Sequence, residues 1–265
     1  MYDGAMIRLL AFWLGAGLGS FINVVAYRLP RDESVVSPGS HCPICGRPIA
    51  FYDNIPILSW LLLRGRCRRC GKPVAARYLL VEFLMAFLSL AVWLRWESRP
   101  EWTVPAILAV GDLLALSLID WETGFIPDAL SFALIAGGLL CAPINPLLAR
   151  ASWYWSVGAS ALGAAWGFLI CWGTAELGKR IFGKEAMGWG DVILLAGVGA
   201  WTGGTGAYDS LLVGSLLGSI YGVGRVARGE LRMGDPVPFG PFLAAGAVFN
   251  FFCLLPLGFP FIPIR

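Results

Sequence analysis

The sequence predicts an all-α polytopic membrane protein of about eight transmembrane helices, with a small cytoplasmic zinc-binding domain between the first two spans. Three observations carry this prediction. Hydrophobic residues make up 57% of the chain and charged residues 14%, with a mean hydropathy of +0.70. Apolar runs of about 18 or more residues recur, the length a helix needs to cross the hydrocarbon core. The one sizeable polar stretch, from about Arg28 to Arg77, holds two near-copies of a paired-cysteine turn.

In chain order, the runs place spans at about 6–26, 79–95, 103–120, 127–147, 153–177, 191–203, 207–225 and 238–258. The first run lacks a strongly basic start and a small-residue cleavage site, so it is read as a retained span. The sixth is short and glycine-rich. The 34 glycines suit close approach of membrane helices, at Gly15-Ala16-Gly17, Gly197-Val198-Gly199 and the Gly214/Gly218 pair. The chain divides into a first span (1–27), a four-cysteine domain (28–78) and a transmembrane core (79–265).

Basic residues set the orientation. Arg28, Arg31, Arg47, Arg64, Arg66, Arg68, Arg69, Lys72 and Arg77 crowd the first loop, and Lys179, Arg180, Lys184, Arg225, Arg228 and Arg232 fall in later loops on the same side, which is therefore cytoplasmic. The opposite loops hold little beyond Arg95, Arg99 and Arg150, and an even number of spans leaves both termini outside. The net charge of +3 comes from these loops and does not argue for a nucleic-acid partner. The partner that composition does require is the lipid bilayer.

The first loop is too small to fold comfortably by apolar burial alone. His41-Cys42-Pro43-Ile44-Cys45-Gly46-Arg47-Pro48 and Arg66-Cys67-Arg68-Arg69-Cys70-Gly71-Lys72-Pro73 repeat one CxxCGxP pattern. Each turn offers two thiolates, and the glycine lets the backbone curl toward a metal. Cys42, Cys45, Cys67 and Cys70 together complete a closed tetrahedral site for structural Zn²⁺. Paired disulfides or unused thiols are the competing readings. His41 reads as an exposed neighbour, and Cys141, Cys171 and Cys253 read as small packing residues in spans.

Two acids stand where a membrane helix would not ordinarily keep them. Asp191 closes the Gly188-Trp189-Gly190-Asp191 turn at the start of one run, and Asp120 ends another. An ionisable group at such a depth is costly and points to function. The glycines of the turn admit a neighbouring helix or an extended substrate. Two carboxylates can divide the work of peptide hydrolysis: one, ionised, takes a proton from water while the other, protonated, polarises the scissile carbonyl. Pro127 suits the first turn of the next helix, with Asp128 complementing its positive end. Glu122 lies in the loop beside Asp120. Asp112, about 12 Å along the helix before Asp120, either faces a polar cavity or bonds another helix.

Over nearly its whole length the chain resembles bacterial type IV prepilin peptidases, GxGD-type membrane aspartyl proteases that cut the leader of prepilins and pseudopilins and then methylate the new N-terminus. The resemblance rests on Gly19-Ser20-Phe21-Ile22-Asn23-Val24-Val25 with Tyr27-Arg28-Leu29-Pro30, both cysteine turns, and Arg77-Tyr78 with Val81-Glu82. It continues through Asp120 to Asp128, Met187 to Asp191, and Pro238-Phe239-Gly240-Pro241-Phe242. It implies catalysis by Asp120 and Asp191, prepilin or pseudopilin substrates, location in the bacterial inner membrane, and an S-adenosylmethionine-dependent N-methyltransferase activity. It also makes Glu82 a candidate for methyl transfer, against the alternative of an acid held by Arg77 or another loop arginine. Asp112 lies outside the family pattern. No glycine-rich nucleotide loop is visible to locate the methyl donor.

Two other readings compete. One is a related intramembrane aspartyl protease of the preflagellin or signal-peptide-peptidase kind, without methylation, against which the double cysteine turn argues. The other is a transporter or assembly factor whose buried acids bind ions or relay protons while the zinc loop docks a partner.

Overall fold

A computed structural model describes residues 4–148, 152–183, 187–232 and 235–252 of the chain. Eight α-helices run through them: α1 (Gly4–Arg28), α2 (Leu58–Leu62), α3 (Ala76–Trp96), α4 (Pro100–Thr123), α5 (Asp128–Cys141), α6 (Trp153–Phe182), α7 (Trp189–Ala227) and α8 (Gly240–Phe252). Five of them, α1, α3, α4, α6 and α7, are long and apolar enough to cross a membrane, and α5 and α8 are shorter apolar helices. The chain is a multi-pass membrane protein. It falls into two compact units, Met1–Thr103 and Val104–Arg265. Cys253, Arg150, Lys184 and the last part of the eighth expected span lie outside the described residues.

In the first unit, α1 packs along α3, and small residues set how closely. A Cβ on Gly19 would come within 2.8 Å of the Glu82 Cα and 3.1 Å of the Met85 Cβ, and one on Gly15 would strike Ser89. Gly17 faces open space instead, so the contact stripe runs Gly15–Gly19, one helical turn apart, rather than through Gly15-Ala16-Gly17. Between the two helices sits the tip of the cysteine loop. Ile57 is buried against Ala16 and Ala86, with Phe12, Leu79 and Phe83 around them. Its backbone lies at φ 65, ψ −58, the centre of a γ-turn closed by the Leu58 N–H donating to the Pro56 carbonyl at 2.6 Å. That conformation is strained for a β-branched residue, at about 1–3 kcal/mol, and persists only where the surroundings hold it. Here they do: the Ile57 N–H donates to Glu82 Oε2 at 2.6 Å, and burial of the side chain offsets the strain.

The second unit is built around α7. From Asp191 to Gly203 every residue of this helix is buried, the signature of a helix surrounded on all sides. α5, α6 and α8 pack against it. Glycine again decides the spacing: Gly199 and Gly163 touch backbone to backbone, Gly197 lies under Leu134, and Gly214 and Gly218 receive the start of α8 at Leu243 and Phe242. The expected sixth and seventh spans both lie in α7, whose 39 residues are two helical segments meeting at a kink at Gly203. At φ 73, ψ −179 that residue occupies a region closed to side chains. A break leaves the carbonyls before it short of N–H donors, and side chains supply them. Ser160 Oγ donates to the Ala200 carbonyl and Asn145 Nδ2 to the Trp201 carbonyl, both at 2.7 Å. Beyond the break, Asn250 of α8 donates to the Gly206 carbonyl at 3.1 Å and to Ser210 Oγ at 3.0 Å, fixing α8 on α7. α6 ends at Gly183, in the left-handed region, whose N–H returns to the Lys179 carbonyl at 2.9 Å.

Candidate active site and metal site

Two helix starts and one helix end make the acidic site in the second unit. Asp120 lies in the last turn of α4 and Asp191 in the first turn of α7. They are only 4% and 7% exposed. Asp120 Oδ2 accepts the Gly240 N–H at 2.9 Å, a free donor at the start of α8. Asp191 Oδ2 reaches back to the Gly188 N–H at 3.2 Å, as an acid at the third helical position does in a capping box. Its other oxygen, Oδ1, is buried and takes no hydrogen bond. The two carboxylates are near enough to interact electrostatically.

Ile126 is the common wall. It is 6% exposed and touches both helix starts: a Cβ on Gly190 would lie 2.7 Å from the Ile126 Cβ, and one on Gly240 would lie 3.1 Å from its Cδ1 and 2.8 Å from Asp120 Oδ2. Of the two turn glycines, therefore, Gly190 makes the close approach, whereas Gly188 faces only the Asp191 carboxylate at 3.4 Å. Gly240 is the contributor to which sequence reasoning assigned no role, although it lies in the Pro238-Phe239-Gly240-Pro241-Phe242 stretch just where a helix begins. Beside the acids, the rings of Trp121, Tyr221 and Phe242 cluster, with centroids 5.4 to 6.5 Å apart, and Trp121 is 49% exposed.

The neighbouring acids separate from this pair. Glu122 and Asp128 are exposed and Asp112 is half-buried. Pro127 occupies the cap position of α5, so Asp128 is itself the first helical residue, an acid at the positive end of the helix. A further acid, Asp209, is fully buried on α7 past the break, with neither oxygen hydrogen-bonded. It escaped notice because it sits between Tyr208 and Ser210 with no motif around it.

The first unit holds the sulfur site. Cys42, Cys45, Cys67 and Cys70 are free thiols, and their Sγ atoms all lie within 4.8 Å of one another. The two turns that present them are twins. Cys42 N–H donates to the Arg47 carbonyl at 2.9 Å and Gly46 N–H to the Cys42 carbonyl at 2.8 Å; Cys67 to Lys72 and Gly71 to Cys67 repeat both bonds at 2.9 Å. Gly46 and Gly71, at φ 66 and 69, turn the chain back. The Cys42–Cys70 Sγ separation is 3.9 Å, close to the roughly 3.8 Å edge of a tetrahedron with Zn–S bonds of about 2.3 Å. The donor set fits a closed metal site. His41 stands apart, its Nδ1 3.2 Å from the Gly39 carbonyl. Backbone N–H groups of Cys70 and Arg69 pull the Cys67 thiol down to about 7. Cys70 is lowered by the Lys72 N–H, but burial and the neighbouring thiols outweigh this and hold it at about 11.

Asp53, next to this site, receives a two-pronged contact from Arg68, Nε at 2.8 Å and the terminal nitrogen at 2.6 Å. These bonds hold its carboxyl below the usual range. Glu82 is 8% exposed, and it accepts hydrogen bonds from the Ile57 N–H at 2.6 Å and from the Ser20 side chain.

Comparison with known proteins agrees with the layout. Residues 13–96 match the bacterial peptidase A24 N-terminal domain and residues 106–223 match the type IV leader peptidase family. A prepilin leader peptidase/N-methyltransferase of Aeromonas hydrophila is 39% identical over 260 residues, covering 89% of this chain and 87% of its own. Proteins of the same name from Burkholderia pseudomallei (strain 1026b) and Pseudomonas aeruginosa are each 36% identical, over 268 and 255 residues, covering 91% and 87% of this chain and 84% and 85% of theirs. No solved structure matches the chain. With two family models covering most of its length, and a buried acid pair in the second and a four-thiol cluster in the first, the chain belongs to the type IV leader peptidase family.

Proposed function

We propose that this protein cleaves the leader peptide of type IV prepilins or pseudopilins with Asp120 and Asp191 as its catalytic pair, and then N-methylates the new N-terminus. The observation that carries the reading is the pair itself: two buried carboxylates, each fixed by one backbone N–H, with one oxygen of Asp191 left without a donor. A water between them loses a proton to the ionised carboxylate as its oxygen bonds to the scissile carbonyl carbon, while the protonated carboxyl gives its proton to the carbonyl oxygen. Return of a proton to the amide nitrogen then breaks the C–N bond. Burial by Ile126 keeps the exchange within the pair.

Four thiolates would hold Zn²⁺ with no position open to water, so the metal's role is to fold the loop and not to react. S-adenosylmethionine supplies the methyl group, and Glu82, in the same unit as the thiols, serves the transfer. The basic loops support an orientation in the bacterial inner membrane with zinc domain and aspartates toward the cytoplasm, where the leader would enter. Asp53 is committed to Arg68 and is not free to attract a basic leader.

The test is to incubate the purified protein in detergent with a prepilin and a labelled methyl donor and to read the product's mass. Loss of the leader with gain of one methyl group is expected; an intact substrate would favour a transporter or assembly role for the buried acids. Gly240→Ala sharpens the geometry. Its methyl would sit 2.8 Å from Asp120 Oδ2 and displace the carboxylate from its N–H, so cleavage should fall about tenfold to a hundredfold, the scale of one lost hydrogen bond to a charged group. Full activity in Gly240→Ala would remove Asp120's position from the mechanism.

A further inference from the structure

The loop between α1 and α3 carries apolar surface where a water-facing domain would carry polar surface. Ile55, Leu58, Leu61 and Leu62 are all exposed, Leu62 to 80%, and the only buried residue of α2 is Ser59. A single exposed leucine needs no explanation, but a run of neighbouring ones marks a surface with a partner.

The position of Ile57, in the middle of this run, identifies the partner. Both α1 and α3 are long and apolar enough to cross a membrane. α3 has 21 residues, roughly 30 Å of helix and about the thickness of a hydrocarbon core. Ala16 and Ala86, which pack with Ile57, are the middle residues of α1 and α3. The Ile57 N–H is held by Glu82, roughly 9 Å along α3 from its first residue, Ala76. Ile57 therefore lies between the two spans at a depth occupied by hydrocarbon, below the level at which α1 ends and α3 begins.

The backbone around Ile57 meets the demand that lipid makes, that no N–H be left for water. From Ile55 to Ser59 every N–H has a partner. Ile55 donates to Ser59 Oγ at 3.1 Å, Ile57 to Glu82 Oε2 at 2.6 Å, Leu58 to the Pro56 carbonyl at 2.6 Å and Ser59 to the Ile55 carbonyl at 3.0 Å, while Pro56 has none to give. Trp60 marks the way out: its Nε1 donates to the Val74 carbonyl at 3.3 Å, just before α3 begins, the level at which membrane proteins place tryptophan. Arg64 and Arg66 follow, both exposed.

We propose that residues 55–62 form a re-entrant wedge in one leaflet of the bilayer, with Ile55, Leu58, Leu61 and Leu62 against lipid acyl chains, Trp60 at the interface and Arg64 and Arg66 at the headgroup phosphates. The sequence of depths follows the chain: an apolar tip, an amphipathic ring, then two cations that suit an anionic surface. The wedge accounts for the strained Ile57 turn, since a chain that enters hydrocarbon and leaves it within a few residues must reverse sharply while keeping its N–H groups bonded. It also fixes the four-cysteine domain to the membrane at its tip, in addition to the two helices from which the domain springs. Nothing in it depends on the reaction proposed above.

The experiment uses the full-length, zinc-loaded protein in vesicles of phosphatidylethanolamine and phosphatidylglycerol that contain a phospholipid with a diazirine midway along one acyl chain. After irradiation and digestion, mass spectrometry should find lipid adducts within 55–62 at a yield comparable with that around Leu80 and Leu84, exposed residues of α3, and at background around Ile44, an equally apolar exposed residue in the first cysteine turn. Leu61→Asp supplies a second reading. On a water-facing surface the change is close to neutral, whereas in the wedge the carboxylate must be drawn out of hydrocarbon. Adducts within 55–62 should then disappear, and amide hydrogen exchange across the same residues should speed up about tenfold or more, with zinc still bound; Leu61→Ala should leave both as in wild type. Wild-type adducts on α3 with none on 55–62 would overturn the wedge. So would cross-links from 55–62 to a second copy of the chain in place of lipid, or unchanged adducts and exchange in Leu61→Asp.

Discussion

Asp120→Asn and Asp191→Asn are each expected to lower the rate of prepilin cleavage about a thousandfold or more, the scale of a lost general acid–base group. Asparagine preserves size and an acceptor oxygen, so Gly240 and Gly188 can keep their N–H bonds of 2.9 and 3.2 Å to the side chain. What it removes is the proton exchange, and neither carboxyl can fill both roles alone. Because the two groups feel one another's charge, they should titrate as a pair, giving a bell-shaped dependence of cleavage on pH whose limbs belong to both. The neighbours serve as controls. Asp128 is exposed in the first turn of α5, so Asp128→Asn should cost less than about threefold in rate. Near wild-type cleavage by a folded, zinc-loaded Asp120→Asn or Asp191→Asn protein would mean that the aspartyl mechanism is wrong.

The second large effect is expected from Cys42→Ser/Cys67→Ser, which takes one thiolate from each turn. Bound zinc should fall from about one per chain to background, and residues 29–75 should become sensitive to protease. Structural zinc contributes about 10–16 kcal/mol in small zinc-folded peptides, more than a loop of this size can replace by burial. Apart from the metal, the loop is held by the Arg68–Asp53 pair, by Arg28 on the Ser34 carbonyl at 2.9 Å and by the Ile57 N–H on Glu82. Ligand thiols must be deprotonated, so acid competes with the metal, and zinc should be released as pH falls below the range where the thiolates persist. Unchanged metal content in the double variant would exclude these cysteines as the ligands.

These two predictions depend on different kinds of information. The cysteine site was legible in the chain because its logic is local: CxxCG fixes a turn, two turns of the same type present four sulfurs, and each is closed by hydrogen bonds spanning only a few residues. The membrane class was legible for the same reason, since length and hydropathy are properties of one segment at a time. The positions of Asp120 and Asp191 at helix boundaries were legible too, because a carboxylate beside an apolar run is visible without knowing what surrounds it.

Contacts between distant segments were not. Hydropathy reads 191–203 and 207–225 as two spans, and α7 does divide at Gly203, but nothing in the pattern shows that Ser160 and Asn145, from other segments, satisfy the carbonyls next to that kink. The pattern could mark glycines as contact residues but not choose Gly19 over Gly17, since that choice depends on which face α3 covers. The N–H that holds Asp120 comes from Gly240, 120 residues away, and the Glu82 carboxylate meets a strained turn at Ile57 that nothing near Glu82 in sequence foretells. By itself, then, the sequence determined the membrane class, the four-sulfur site and the two boundary acids, all set by short-range spacing and composition. Only the tertiary structure decided which backbone donors and which apolar side chain enclose each acid, because such partners are chosen by packing in three dimensions, where neighbours in space are strangers along the chain.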